Sequence, residues 1–390
     1  VTHAAVAPAS APAPTASRGV FMKRHCPGSV TRRQFVRTAG ALLGGYSAAL
    51  VAGCAKSQVQ PPEQPPMAAP AGEDVPDLGM LDGRESVARA VAMAGADADG
   101  GPKVAVARSP RMWSDEHGVD PEVMATVIDG AMMWFTGTDS AEKAWGSLFN
   151  SDEKVGLKPN GLGGMELATA QALSGHVVDR LTGIGVRREN IIIWEQNAPF
   201  IANCGIPLDD VPWGVQAVLT SDTLGQRVQQ GTIDQRLTGV VTQQVDAIIN
   251  LPILKTHEMS GVTLSMKNHY GTIEEPWAYH WNFHENISDL ASIPAIKDKT
   301  RLILCDMTHC IVDGGPSGLP HFFPGAVMVT NDMVAHDALG VAIIEEERRE
   351  RGLPSLADWG KEVTYLQAAQ ERGVGVADMA RIDARLMNFA

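Results

Sequence analysis

The chain has 390 residues, is 44% apolar and carries a formal net charge of −13 at pH 7. It is long enough to bury a sizeable core, as one large domain or two smaller ones. That acidity argues against general affinity for nucleic acid or an anionic lipid surface and leaves room only for a local basic site. After the N-terminal segment, no apolar run approaches the roughly 18 residues of a membrane-spanning helix.

The first 53 residues hold six bases (Arg18, Lys23, Arg24, Arg32, Arg33, Arg37) and no Asp or Glu. Thr31 to Arg37 is followed by a mild apolar stretch, Ala39 to Ala52. The paired Arg32 and Arg33 resemble the twin-arginine (Tat) export consensus, and Val51-Ala52-Gly53-Cys54 resembles a lipobox in which Cys54 is acylated. Residues 1–54 are therefore expected to be an export signal read by the Tat translocase. The destination would be the periplasm or cell surface, with membrane contact only through a lipid on Cys54; signal cleavage without lipid is the other expectation. Loss of this segment moves the net charge to −19, because it removes six bases and no acids. Residues 55–101 are rich in Pro, Ala, Gly, Asp and Glu, too poor in apolar surface to offset chain entropy, and read as a flexible tether.

Residues 102–390 read as an α/β domain. Lys103 to Ala107 predicts the first strand; Asp120-Pro121-Glu122 opens a helix, with Asp as cap and Pro at its first position. A short helix is predicted over Ser140–Phe149, a strand over Lys154–Leu157, a helix from about Leu167 to Leu181, and a buried strand over Ile191–Trp194. Ala217 to Gly239 gives mixed short elements. Ala247-Ile248-Ile249 predicts a strand stopped by Asn250-Leu251-Pro252, since Pro has no N–H to donate to the ladder. A helix is predicted over about Gly261–Tyr270, strands over Arg301–Cys305 and Ala326–Val329, a helix from Asp332 to Glu347, and two further helices to the C-terminus. Alternation of this kind predicts a mostly parallel sheet with helices on both faces.

Four predicted strands exit into chemically loaded segments: Lys158-Pro159-Asn160, Glu195-Gln196-Asn197, Lys255-Thr256-His257, and Asp306 through Asp313. In an open parallel sheet, such exits converge at one edge, where ligands bind. Lys158, Lys255 and Lys267 could form a cationic pocket for a phosphate or carboxylate, because a lysine is a point charge whose pKa falls readily when desolvated near other cations. The catalytic candidates are Lys255, His257 and Lys267, with His257 a general base by its residue type. The binding candidates are Lys158, Asn160, Asn268, Asp306 and Asp313. His280 and His284, at i and i+4, would share a helical face in the manner of metal ligands, with His309 as a third; a packed aromatic lid is the plainer reading of the same stretch. Gly314-Gly315-Pro316 predicts a tight turn whose N–H groups could cradle an anion. Of the five cysteines, Cys204, Cys305 and Cys310 fall in this domain; Cys305 ends a buried strand and reads as a core thiol, and a disulfide from Cys204 to one of the others stays open in an oxidising compartment.

V-G-L-K-P-N (155–160), I-N-L-P-I-L-K-T-H (249–257), M-K-N-H-Y-G (266–271), D-x6-D-G-G-P (306–316) and N-D-M-V-A-H-D-A (331–338) together resemble the DUF362 family, a widespread prokaryotic family of unknown biochemical function. The resemblance covers the region from about Lys103 to the C-terminus and implies a fold rather than a reaction. Many relatives look like exported twin-arginine proteins, and some carry a ferredoxin-like module with C-x-x-C-x-x-C spacing. That spacing does not occur here, so no iron–sulfur cofactor is implied; a divalent metal stays open. Two functions follow as expectations. One is an enzyme acting on a small anionic molecule through the Lys/His site; the other is a non-catalytic binding or redox-accessory protein.

Overall fold

A computed structural model describes residues 83–95, 100–113, 118–163 and 169–390. Arg32, Arg33, Cys54 and most of the expected tether lie outside the described residues. The sheet is built from β1 (Lys103–Arg108), β2 (Val155–Lys158), β3 (Ile191–Glu195) and β4 (Gln216–Leu219). β5 (Leu224–Gln230) and β6 (Ile233–Thr238) form a separate hairpin. The main sheet continues with β7 (Ala247–Asn250), β8 (Ile253–His257), β9 (Gly261–Thr263), β10 (Thr300–Ile311), β11 (Ala326–Thr330) and β12 (Asp383–Asn388). Its order is β12-β1-β11-β10-β7-β2-β3-β4, with β8 pairing β10 and β9 pairing β8. β10, β7, β2, β3 and β4 run parallel, and β11 is antiparallel to both its neighbours.

Alternation along each strand sorts the core into two layers, as the two-residue period of a strand requires. Ile191, Ile193, Ala247, Ile249, Leu302 and Leu304 face one layer, with Val127, Ile128, Leu173 and Val177 of the Pro121–Thr136 and Ala170–Gly183 helices. Ile192, Trp194, Ile248, Ile303 and Cys305 face the other, with Ile287 and Leu290 of Phe283–Ser292 and Leu339 and Ile343 of Met333–Glu350. The expected sheet with helices on both faces is what forms. Asp120 caps its helix by accepting from the N–H groups of Glu122 and Val123 at 2.9 and 3.1 Å, and Ser140 caps the next from Lys143 N at 3.3 Å.

Five expectations are corrected. The predicted tether ends earlier, because Arg84–Ala92 is a helix that buries Val87, Ala90 and Val91; Arg89 on it pairs with Glu346 at 2.7 Å and Glu350 at 2.5 Å. Pro252 interrupts the chain without ending strand structure: beyond it, Lys255-Thr256-His257 lies on β8, paired with the upper half of β10. The helix predicted over Gly261–Tyr270 is a short strand, β9, then a turn of helix at Ser265–Asn268. Gly261, at φ 81°, reverses the chain into β9, and a Cβ there would meet Lys361 O at 2.4 Å. β10 runs on through Asp306–Ile311, and the last predicted helix is replaced by β12, parallel to β1. No helix among the described residues is long and apolar enough to cross a membrane.

Candidate functional site

β2 and β7 lie side by side in register, with Lys158 opposite Asn250, and Glu195 ends β3 next to them. An interlocked set of amides fixes this edge. Asn250 Nδ2 donates to Ser265 O at 2.8 Å and to His269 Nε2 at 3.2 Å. Asn268 Nδ2 donates to Asn250 Oδ1 at 2.8 Å and to Lys158 O at 3.0 Å, while its Oδ1 accepts from Asn160 Nδ2 at 3.0 Å. Asn160 Oδ1 accepts from Lys255 Nζ at 3.0 Å. Asn160 and Asn268 therefore face the cleft with their hydrogen-bonding largely committed inside the protein. They act as the frame that aims the lysines, rather than as the ligand's own contacts.

The three lysines differ. Lys158 is buried and paired with Glu195 Oε1 at 2.9 Å, and also donates to Pro159 O at 2.8 Å. Glu195 Oε1 accepts from Gly161 N at 3.0 Å and Oε2 from Gln196 N at 2.5 Å, so its charge is held in place. Gly271 closes over this pair, and a Cβ there would lie 2.9 Å from Lys158 Nζ. Lys255 is fully buried and bonds to Asn160 Oδ1 and Leu162 O, with no carboxylate partner among the described residues. Burial is the main cause that lowers its pKa to about 7, against the opposing pull of Glu195. Lys267, 5% exposed, lies 4.2 Å from the ring centre of Tyr270 and 5.2 Å from that of Phe283. It donates to His280 Nε2 at 3.5 Å, and burial, then the charge of Lys255, lowers it to about 7 as well.

Burial holds His257 and His280 in their neutral form. His257 Nδ1 accepts from the N–H groups of Met259 and Ser260 at 3.1 and 3.3 Å, which leaves the proton on Nε2. Burial, then the charge of Lys267, holds its pKa down to about 2. His257 thus presents a donor toward the cleft, with Nδ1 spent on the turn. His280 has the opposite polarity. Its Nδ1–H donates to Pro276 O at 2.9 Å, so the lone pair of Nε2 faces Lys267; burial, then Lys267, lowers it to about 4.

Lys267, His257 and His280 line a cleft of about 260 Å³ with Lys158, Asn160, Glu195, Gln196, Phe200, Thr263, Asn268, Tyr270 and Trp277 among its walls, while Lys255 lies behind it. The Thr263 hydroxyl is buried there without a hydrogen-bond partner. Sequence reasoning assigned no role to Thr263, Tyr270 or Phe283, because nothing in a strand Thr or a core aromatic marks it. Asp337 supports the site from one remove. It lies on Met333–Glu350 and accepts from Ser265 N at 2.8 Å, Ser265 Oγ at 2.6 Å and Met266 N at 3.2 Å, fixing the turn that carries Lys267 and Asn268. Asp332 caps its own helix through Val334 N and Ala335 N.

The other predicted residues do not join the cleft. Asp306 is buried within β10, its Oδ1 bonded to the N–H and hydroxyl of Thr308 at 2.8 and 2.5 Å and its Oδ2 unpartnered; burial raises its pKa to about 6. Asp313 pairs with Arg348 at 3.1 Å, half-exposed. The His280, His284, His309 metal set is corrected. His280 precedes the Phe283–Ser292 helix, so the i, i+4 face does not form. His284 is exposed beside Glu285, and His309 lies against Trp113 and Phe323, ring centres 4.8 and 5.6 Å away. Among the described residues, no three His, Cys, Asp or Glu side chains gather in a way that could hold a metal. Gly315 faces Thr256, its N–H donating to Thr256 Oγ1 at 3.2 Å and its carbonyl accepting from Glu258 N at 2.9 Å, which uses the turn for structure. Cys204, Cys305 and Cys310 are buried free thiols.

The architecture defines an α/β protein with a lysine-rich cleft at the carboxyl edge of a mostly parallel sheet. Residues 167–342 match the family model described as a domain of unknown function, DUF362, which supports the resemblance carried by the motifs. The match begins after Lys158 and Asn160 and ends within the Met333–Glu350 helix. Among solved structures, a protein from Thermotoga maritima is similar at 9% identity and a TM-score of 0.37, over 60% of this chain and 60% of that one. No curated protein matches.

Proposed function

We propose that the protein is an enzyme that binds a small organic anion in this cleft. Lys267 supplies the charge, and the His257 Nε2–H, the Thr263 hydroxyl and the Gln196 side chain supply hydrogen bonds. The observation that carries the reading is an excess of buried cation. Lys158, Lys255 and Lys267 are all buried, and among the described residues the one carboxylate paired with any of them, Glu195, is already held by Lys158. An unpaired buried ammonium is costly, and an anionic ligand relieves that cost. A cleft of about 260 Å³ suits a compound of few atoms.

The test is thermal stabilisation by phosphate, acetate and pyruvate, followed by titration of whichever binds. Wild-type protein should be stabilised, and Lys267→Gln should bind at least about tenfold more weakly, a loss of about 1.4 kcal/mol or more. Equal affinity in the variant would remove Lys267 from the site. Binding without any conversion of the anion would favour the accessory-protein reading. Export belongs to this proposal on sequence grounds alone: Arg32→Lys with Arg33→Lys should retain the protein in the cytoplasm, as read by cell fractionation, and Cys54→Ser should abolish fatty-acid labelling.

A further inference from the structure

Several features of Lys267 go beyond what anion binding needs. Its ammonium sits between the faces of Tyr270 and Phe283, where a cation is stabilised without being neutralised. The nitrogen it reaches, His280 Nε2, is an acceptor, because the other ring nitrogen is tied to Pro276 O. An acceptor lone pair beside an anion site opposes the anion; beside a lysine it is placed to take a proton. Lys255 adds a second cation close enough to lower the pKa of Lys267, and a lysine desolvated next to another cationic group is the arrangement that yields a nucleophilic amine near neutral pH. The other two lysines lack this freedom. Lys158 is ion-paired with Glu195, and Lys255 is bonded to Asn160 and Leu162 and does not line the cleft.

We propose that Lys267 captures the carbonyl group of a small oxo acid as a protonated imine, a step that rests on the anion-binding reading and specifies its substrate class. The Lys267 ammonium passes one proton through His280 Nε2 to solvent, the imidazole acting as a relay that returns to its neutral form. The neutral amine then forms the C–N bond at the carbonyl carbon, and the carbonyl oxygen takes the electron pair of the breaking π bond. That oxygen takes one proton back from solvent through His280 and a second from the attacking nitrogen, and leaves as water. An ammonium and a carbonyl thus become a protonated imine and one water, with no oxidant or reductant required. The carboxylate of the oxo acid is left to the His257 Nε2–H, Thr263 and Gln196. The imine, still a cation, keeps the same aromatic faces.

The experiment is borohydride trapping. Full-length protein is incubated with pyruvate or glyoxylate, reduced, and analysed by intact mass and peptide mapping, with lactate and phosphate as anions that carry no ketone or aldehyde carbonyl. The inference expects one reduced adduct, mapped to Lys267, absent with lactate and absent in Lys267→Arg, which keeps the charge but forms no imine. His280→Asn should slow trapping by about a hundredfold, the scale of a lost proton-transfer group. Thermal stabilisation by either oxo acid without an adduct overturns the imine and leaves the anion site standing. Stabilisation by lactate or phosphate alone does the same. Labelling spread over surface lysines, equal to that of urea-unfolded protein, also overturns it. No stabilisation by any of the four sinks both readings. Should Lys267→Arg fail to fold, the peptide map of the wild-type adduct decides.

Discussion

At the scale of single residues, the site is governed by what burial does to charge. Lys255 and Lys267 titrate near 7 in the fold against 10.5 for a free lysine, so between those values the unfolded chain binds more protons than the folded one. Stability of the unliganded protein should therefore rise as pH climbs from 7 toward 10 and fall as pH drops through 7, the sign expected for a depressed pKa. Anion binding has the opposite slope, since it needs the ammonium: affinity should weaken by about tenfold per pH unit above 7, with proton uptake on binding measurable by calorimetry in buffers of different ionisation heat. A flat profile from pH 6 to 9 would mean that neither lysine contacts the anion. Asp306 has the reverse linkage. Its pKa is raised from 3.8 to about 6, so its carboxylate costs stability above pH 6 and none below the unfolded value. Asp306→Asn should stabilise the protein by about 1–3 kcal/mol at pH 7, by urea unfolding, with the gain gone at pH 4. Loss of stability at pH 7 would instead mean that its unpartnered oxygen has a charged companion.

At the scale of elements, the turn Ser265–Asn268 is too short to hold itself and depends on Asp337 across the core. Asp337→Ala should cost about 3 kcal/mol or more, because three donors lose their acceptor in a dry interior, and His336 Nδ1–H, 2.7 Å away, becomes a fourth. It should also weaken anion binding without touching the anion, while Asp337→Asn, which keeps one acceptor oxygen, falls between. Full binding in a folded Ala variant would show that the turn is held by other contacts. This dependence explains which parts of the molecule were legible in sequence. Ile191–Trp194 and Ala247–Ile249 announce themselves as buried strands because an apolar run needs no partner to be recognised. Asp120-Pro121 and Ser140 announce helix starts through local capping chemistry. Asp306-Met307-Thr308 looked like a loop because its polarity is satisfied by a side chain two residues away. Lys255-Thr256-His257 looked like a strand exit because Pro252 precedes it. The cationic cleft was visible as convergent exits, yet its aromatic cage, the Thr263 hydroxyl and the polarity of His280 depend on tertiary neighbours that no local pattern encodes. The metal reading failed for the related reason that i, i+4 spacing means a shared face only inside a helix, and His280 stands outside it.

At the scale of the whole molecule, the region matched by the family model is smaller than the unit that folds. Residues 167–342 leave out β1, β2 and β12, and with β2 go Lys158 and Asn160. A fragment cut to that span should not fold, since β7 and β3 would face each other across a missing strand. The first described element is the Arg84–Ala92 helix. Gly83, at φ 58°, passes so close to Phe322 that a Cβ would meet it at 1.8 Å, and the helix then covers the Met333–Glu350 helix. Two buried valines are worth about 1.5–3 kcal/mol each before the entropy of fixing the helix is subtracted. Buried Glu347 also loses the hydroxyl of Ser86 if the helix is removed. A chain of residues 83–390 keeps this helix, and its urea unfolding sets the reference. Residues 96–390 should be less stable by about 2–4 kcal/mol, a large part of the 5–15 kcal/mol typical of a domain. The loss should appear without a change in anion affinity for the protein that remains folded, because the cleft lies at the strand ends of β2, β3 and β8. Equal stability of the two truncations would return residues 84–95 to the tether. A loss of affinity in the shorter one would show that the Met333–Glu350 helix transmits the damage to Asp337 and the turn it holds.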